Sequence, residues 1–108
     1  MVRIHQKTST CWLVPLLIIL SQNAHADEIQ RGKLLAQSRC ANCHSIEKVG
    51  PSPFRKAPPF RELHHRYPLE ALEESLAEGI VTGHPQMPIF MFSPRQIGEL
   101  IAYLKTLK

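Results

Sequence analysis

Five consecutive residues, Cys40-Ala41-Asn42-Cys43-His44, decide what this 108-residue chain can fold around. Two thiols two residues apart can add across the two vinyl groups of one porphyrin, and the histidine beside them can put its imidazole on the iron. The spacing therefore reads as a c-type haem attachment motif. A chain that carries it must arrange itself about a large, flat, apolar body tied down at two points. The same cysteine pair also occurs in dithiol redox sites and in halves of zinc sites. Zinc would need a second pair of soft ligands, and no cysteine follows Cys43. A dithiol oxidoreductase would need a strand before the pair and a βαβ pattern around it, whereas the flanks here read as helix and Pro-rich loop.

The first residues assign a compartment. Arg3 and Lys7 give a positive start, Cys11 to Leu20 form an apolar run, and Ala24-His25-Ala26 is a small-x-small cleavage site. Residues 1–26 are thus expected to be a cleaved secretory signal peptide, leaving 27–108 as one domain in the periplasm. The alternative, a retained membrane anchor, fits poorly, because the apolar run falls short of the about 20 residues needed to cross a bilayer and Pro15 interrupts it. Cys11 and the single tryptophan, Trp12, would leave with the leader.

A domain of this size buries little apolar area unaided, so a ligand-filled core is expected, and one haem meets that need. Cys40 and Cys43 would both be consumed by it, leaving no thiol for a disulfide. Loss of Arg3 and Lys7 takes the formal net charge from +4 to +2. Two haem propionates would bring it near neutrality, so the basic precursor is not read as a nucleic-acid binder. Local basic character gathers around Arg55, Lys56, Arg61 and Arg66. It is either a solvated loop face or a surface that steers an acidic partner.

The fold class expected is all-α. From about Glu28 to Cys40, Ile29, Gly32, Leu35 and Ala36 share one face of a helix. A glycine inside a helix costs about 1 kcal/mol against alanine, and close approach of a crossing helix would account for it. The partner is at the other end of the chain. Ser93-Pro94-Arg95-Gln96 offers an N-cap, a first-turn proline and a capping-box glutamine, followed by an apolar stripe at Ile97, Leu100, Ile101, Leu104 and Leu107. Between the two, Gly50-Pro51-Ser52-Pro53 and Ala57-Pro58-Pro59-Phe60 exclude regular structure. One further helix, Pro68 to Glu78, turns Leu69, Leu72 and Leu76 inward and stops at Gly79. No stretch reads as a strand.

An iron held by His44 has a second face to fill, and Met87, bracketed by Pro85 and Pro88, is the expected ligand there. A thioether favours Fe(II), raises the reduction potential and excludes dioxygen. Met91, between Phe90 and Phe92, is expected to pack against the haem edge instead, and His84 to occupy a neighbouring loop position. His64 and His65 are adjacent and cannot both face one pocket. They are expected to face mainly solvent.

Taken together, these segments resemble the class I c-type cytochromes, small monohaem proteins of the bacterial periplasm. The resemblance rests on Gly32-Lys33-Leu34-Leu35 before Cys40-Ala41-Asn42-Cys43-His44, on Met87-Pro88-Ile89-Phe90, and on Ile97-Gly98-Glu99-Leu100-Ile101-Ala102-Tyr103-Leu104. It spans nearly all of residues 27–108. It implies one covalent haem c on Cys40 and Cys43, axial iron ligands His44 and Met87, and N- and C-terminal helices crossing where Gly32 meets the last helix near Tyr103. It further implies that a proline carbonyl accepts the Nδ1 proton of His44, with Pro51, Pro53 and Pro58 competing for that role.

The activity this implies is periplasmic electron transfer rather than catalysis. The chain would be a monomer that docks transiently with a redox donor and acceptor, with no nucleic acid and no stable membrane insertion. Two alternatives stand beside it: a haem-bearing subunit of a larger oxidoreductase complex, and a haem module whose labile sixth site binds small ligands.

Overall fold

Good helix formers lie on both sides of the small-residue stretch around residue 24, and Pro15 stands in the first turn, where its missing N–H costs nothing. In the computed structural model the first helix, α1, accordingly runs over Val14–Arg39, longer than the segment from about Glu28 expected from periodicity. The structure describes the backbone of residues 14–79 and 86–108 and the side chains of residues 21–79 and 86–108. Of the described side chains of α1, only some are packed. Residues 21–27 are all exposed, and burial begins at Glu28 and Ile29 and deepens at Gly32 and Ala36. Propensity thus carries the helix outward beyond the reach of its packing. Among the described residues, no helix is long and apolar enough to cross a membrane.

The chain then runs through the proline-rich loop to a 3-10 turn at Phe60–Glu62, which leads directly into the one-turn helix α2, Leu63–Arg66. This turn and α2 are additions to the three helices read from the sequence. One turn is too short for periodicity to register, and Leu63 holds it by packing into the core. Helix α3 spans Leu69–Glu78, with Leu69 and Leu76 buried, and ends at Gly79, whose φ of 81° is open to glycine without strain.

Helix α4, Pro94–Lys105, begins on a complete capping box. The Ser93 hydroxyl accepts from the Gln96 backbone N–H at 3.2 Å, and the Gln96 side chain accepts from the Ser93 N–H at 2.9 Å. Its stripe of Ile97, Leu100, Ile101 and Leu104, with Leu107 beyond, is buried throughout. Helices α1 and α3 both pack on α4, so the described residues form a helical fold without strands, framed by the crossing of the terminal helices.

Gly32 sits at that crossing. A Cβ placed there would lie 1.9 Å from the Glu99 carbonyl oxygen and 3.0 Å from the Tyr103 Cβ. The neighbouring charges reinforce the contact: Arg31 Nε donates to Glu99 Oε1 at 2.7 Å and Arg31 Nη1 pairs with Asp27. Glu99 is only 5% exposed, and its buried carboxylate is compatible with the core because Arg31 meets it directly. One helix turn on, the Tyr103 hydroxyl donates to the Ile46 carbonyl at 2.7 Å, tying α4 to the loop that follows α1.

Candidate functional site

The five-residue motif leaves α1 without straightening. Cys40 N–H still bonds to the Ala36 carbonyl at 2.9 Å, and the Cys43 and His44 N–H groups both return to the Cys40 carbonyl, at 3.1 and 2.9 Å. This tight turn gathers Cys40, Cys43 and His44 against one cavity of about 670 Å³. The cavity is bounded by the motif turn, the loop after it, α2, α3, the Gln86–Phe92 segment and the inward residues Leu100 and Leu104 of α4. Its volume and mainly apolar walls are those of a site for a sizeable organic cofactor.

The loop that follows is stitched by backbone bonds that set its depth. Phe54 N–H donates to the Cys43 carbonyl at 3.1 Å and Phe60 N–H to the Ser45 carbonyl at 2.8 Å, while the buried Ser52 hydroxyl accepts from Ser45 N–H at 3.0 Å. These anchors carry the Pro58 carbonyl to 2.7 Å from His44 Nδ1. A carbonyl can only accept, so Nδ1 holds the proton and Nε2 keeps its lone pair. Of the three prolines open to this role, Pro58 fills it. The His44 ring is 8% exposed and rests on Phe60, with centroids 5.3 Å apart, so packing as well as hydrogen bonding fixes its plane.

Met87 is half-buried and lines the same cavity, so the structure gathers all four sequence-predicted site residues around one space. His84 lies outside the described residues. Met91 differs from expectation. Instead of packing on the cavity it is 87% exposed, while Phe90 and Phe92 line the wall and stack on each other with centroids 5.4 Å apart. Successive side chains of a non-helical, extended segment point to opposite sides, so placing both phenylalanines inward sends Met91 out. His64 is half-buried and His65 exposed, their rings 3.9 Å apart, and neither lines the cavity.

Burial pushes the Cys40 thiol up to about 11, with the nearby Cys43 adding to the shift. A dithiol oxidoreductase needs a nucleophilic thiol lowered toward neutrality, and the shift at Cys40 runs the other way. Zinc would want more donors, and among the described residues no three His, Cys, Asp or Glu side chains gather as metal ligands.

Several walls of the cavity were not read as such from the sequence. Phe54, Phe60, Leu63 and Tyr67 belong to it, as do Ala71 and Ser75 on the inward side of α3. The signal for α3 was present in the spacing of Leu69, Leu72 and Leu76, whereas the loop aromatics carry no period to mark them.

The sequence model of the cytochrome c family matches residues 29–108. A protein named cytochrome c-552 from Bradyrhizobium diazoefficiens is 30% identical over 88 residues, which cover 82% of this chain and 83% of that relative. No solved structure gives a significant match.

Proposed function

This chain belongs to the cytochrome c family and is a haem electron-transfer protein, a carrier rather than an enzyme, and on that premise we propose how its own residues hold the cofactor and where it works. Cys40 and Cys43 would form the two thioethers, and His44 and Met87 would hold the iron. Haem c supplies one-electron chemistry, its iron alternating between Fe(III) and Fe(II).

The observation that carries this reading is the 2.7 Å bond from His44 Nδ1–H to the Pro58 carbonyl. It selects the tautomer whose Nε2 can donate to a metal and fixes the ring's direction. Phe60, Leu63, Leu100 and Leu104 supply apolar walls that exclude water from the same space. Met87 enters from the opposite part of the sequence, and a thioether there would close the iron to outside ligands. With both positions taken by protein, the coordination need not change between redox states, which suits a carrier.

The working compartment is the periplasm, reached through a cleaved leader of residues 1–26. Supporting this, residues 21–27 are exposed and residues 28 and 29 are half-buried. The test is an absorption spectrum of the exported protein, reduced and oxidised, with carbon monoxide added to the reduced form. A c-type haem spectrum insensitive to carbon monoxide at neutral pH is expected. Ready binding of the gas would remove Met87 from the iron.

A further inference from the structure

Sulfur is scarce in this chain, and its surroundings divide sharply. Residues 27–108 contain four sulfur side chains, Cys40, Cys43, Met87 and Met91, and no tryptophan. On the reading above, both cysteine sulfurs become thioethers of the cofactor and the Met87 sulfur holds the iron. Met91 alone is left with its sulfur lone pairs uncommitted.

The fold also leaves Met91 open to solvent. Phe90 and Phe92 line the cavity and stack on each other, their rings 13° from parallel. The segment that carries them is not helical, and with both neighbours turned inward the side chain between them faces out. Met91 is the most exposed of the large apolar side chains among the described residues, and it lies outside the cavity that the half-buried Met87 lines. Such a side chain forgoes the about 1.5–3 kcal/mol that burying a methionine brings, so it contributes little by packing.

We propose that Met91 is an oxidation site, at which a hypohalous acid is consumed by converting the thioether to its sulfoxide while Met87 is spared. With hypochlorous acid, the sulfur gives up two electrons to chlorine and the O–Cl bond breaks. An S–O bond forms, and chloride and a proton leave. The product is a polar, chiral side chain, disruptive in a core but at home in water. At Met91 the new oxygen lies outside, and the wall made by Phe90 and Phe92 stays in place. The same change at Met87 would take a soft donor from the cavity. The sparing of Met87 rests on the ligation proposed above, whereas the reactivity of Met91 rests on its exposure.

The test treats the haem-loaded, oxidised protein with hypochlorous acid at no more than one equivalent. Met87 and Met91 fall on one tryptic peptide, since no lysine or arginine separates them, so fragmentation of that peptide in the mass spectrometer places the oxygen. One added oxygen on Met91 and none on Met87 is expected, with an unmoved midpoint potential and continued insensitivity to carbon monoxide. Met91→Leu should lose that uptake and keep the spectrum. In acid-unfolded protein, where the two methionines no longer differ in exposure, the oxygen should divide between them.

Oxygen found first on Met87, or divided evenly in the folded protein, would overturn the proposal. So would a Met91 left unchanged while other side chains take up chlorine, or a preference for Met91 that persists in the unfolded chain. Carbon monoxide binding before any oxidant is added would count against the ligation reading alone, and the position of the oxygen would still decide the role of Met91.

Discussion

The carbonyl oxygen of Glu99 occupies the space that any side chain at position 32 would need, 1.9 Å from an ideal Cβ built on Gly32. The obstacle is backbone in the middle of α4 and cannot swing aside like the end of a flexible side chain. Gly32→Ala should therefore force the two helices apart. The expected cost lies at or above the upper end of the about 1–3 kcal/mol typical of overpacking, read as a lowered denaturation midpoint. A neutral outcome would mean that the crossing is looser than its geometry.

Tyr103 joins the same crossing to the loop after α1. Tyr103→Phe leaves the buried Ile46 carbonyl without its donor, which should cost about 1–3 kcal/mol by chemical denaturation. Burial, with Glu47 adding, raises the phenol pKa in the folded protein. The folded state thus favours the neutral phenol. Its contribution is complete below the unfolded value near 10 and is lost as pH rises through the higher folded value. The stability gap between wild type and Tyr103→Phe should accordingly narrow in alkali, and a gap that widens there would contradict this sign.

Arg31 is the nearer of two cations on the buried Glu99 carboxylate, Arg95 being the other, whereas Asp27 on the far side of Arg31 is exposed. Arg31→Leu should lower the thermal midpoint clearly more than Asp27→Ala, because only the first takes the close partner from a buried charge, leaving it Arg95 Nε alone at 3.8 Å. Restoring neutrality with Glu99→Gln in the Arg31→Leu background should recover part of the loss. Thermal melts of the four proteins would show it.

Met87 and Met91 are four residues apart and have opposite surroundings. On the ligation proposed above, Met87→Ala should lower the reduction potential and let the reduced protein bind carbon monoxide, since it would open the iron. Met91→Ala, at a site 87% exposed, should change neither. An unchanged spectrum in Met87→Ala would remove it from the metal.

The terminal helices, their crossing at Gly32 and the capping box at Ser93 were all legible in the sequence, because each rests on local periodicity or on residues with narrow conformational uses. That Cys40, Cys43, His44 and Met87 would lie around one cavity was legible too. Which proline carbonyl meets His44 was not, since it depends on how bonds such as Phe60 N–H to the Ser45 carbonyl fold the loop back. The outward turn of Met91 escaped for a related reason: the composition of Phe90-Met91-Phe92 is apolar throughout, and only the alternation of an extended chain separates its two sides. Glu99 looked like one more polar helix residue, and its burial follows from the position of Arg31 on a different helix.

The mass of the intact protein, recovered from a host able to mature c-type cytochromes, bears most directly on the central claim. A single species is predicted, with the polypeptide mass of residues 27–108 plus one haem, and with the added mass on the peptide that holds Cys40 and Cys43. A product with the bare polypeptide mass, or with haem that leaves on acid extraction, would contradict it.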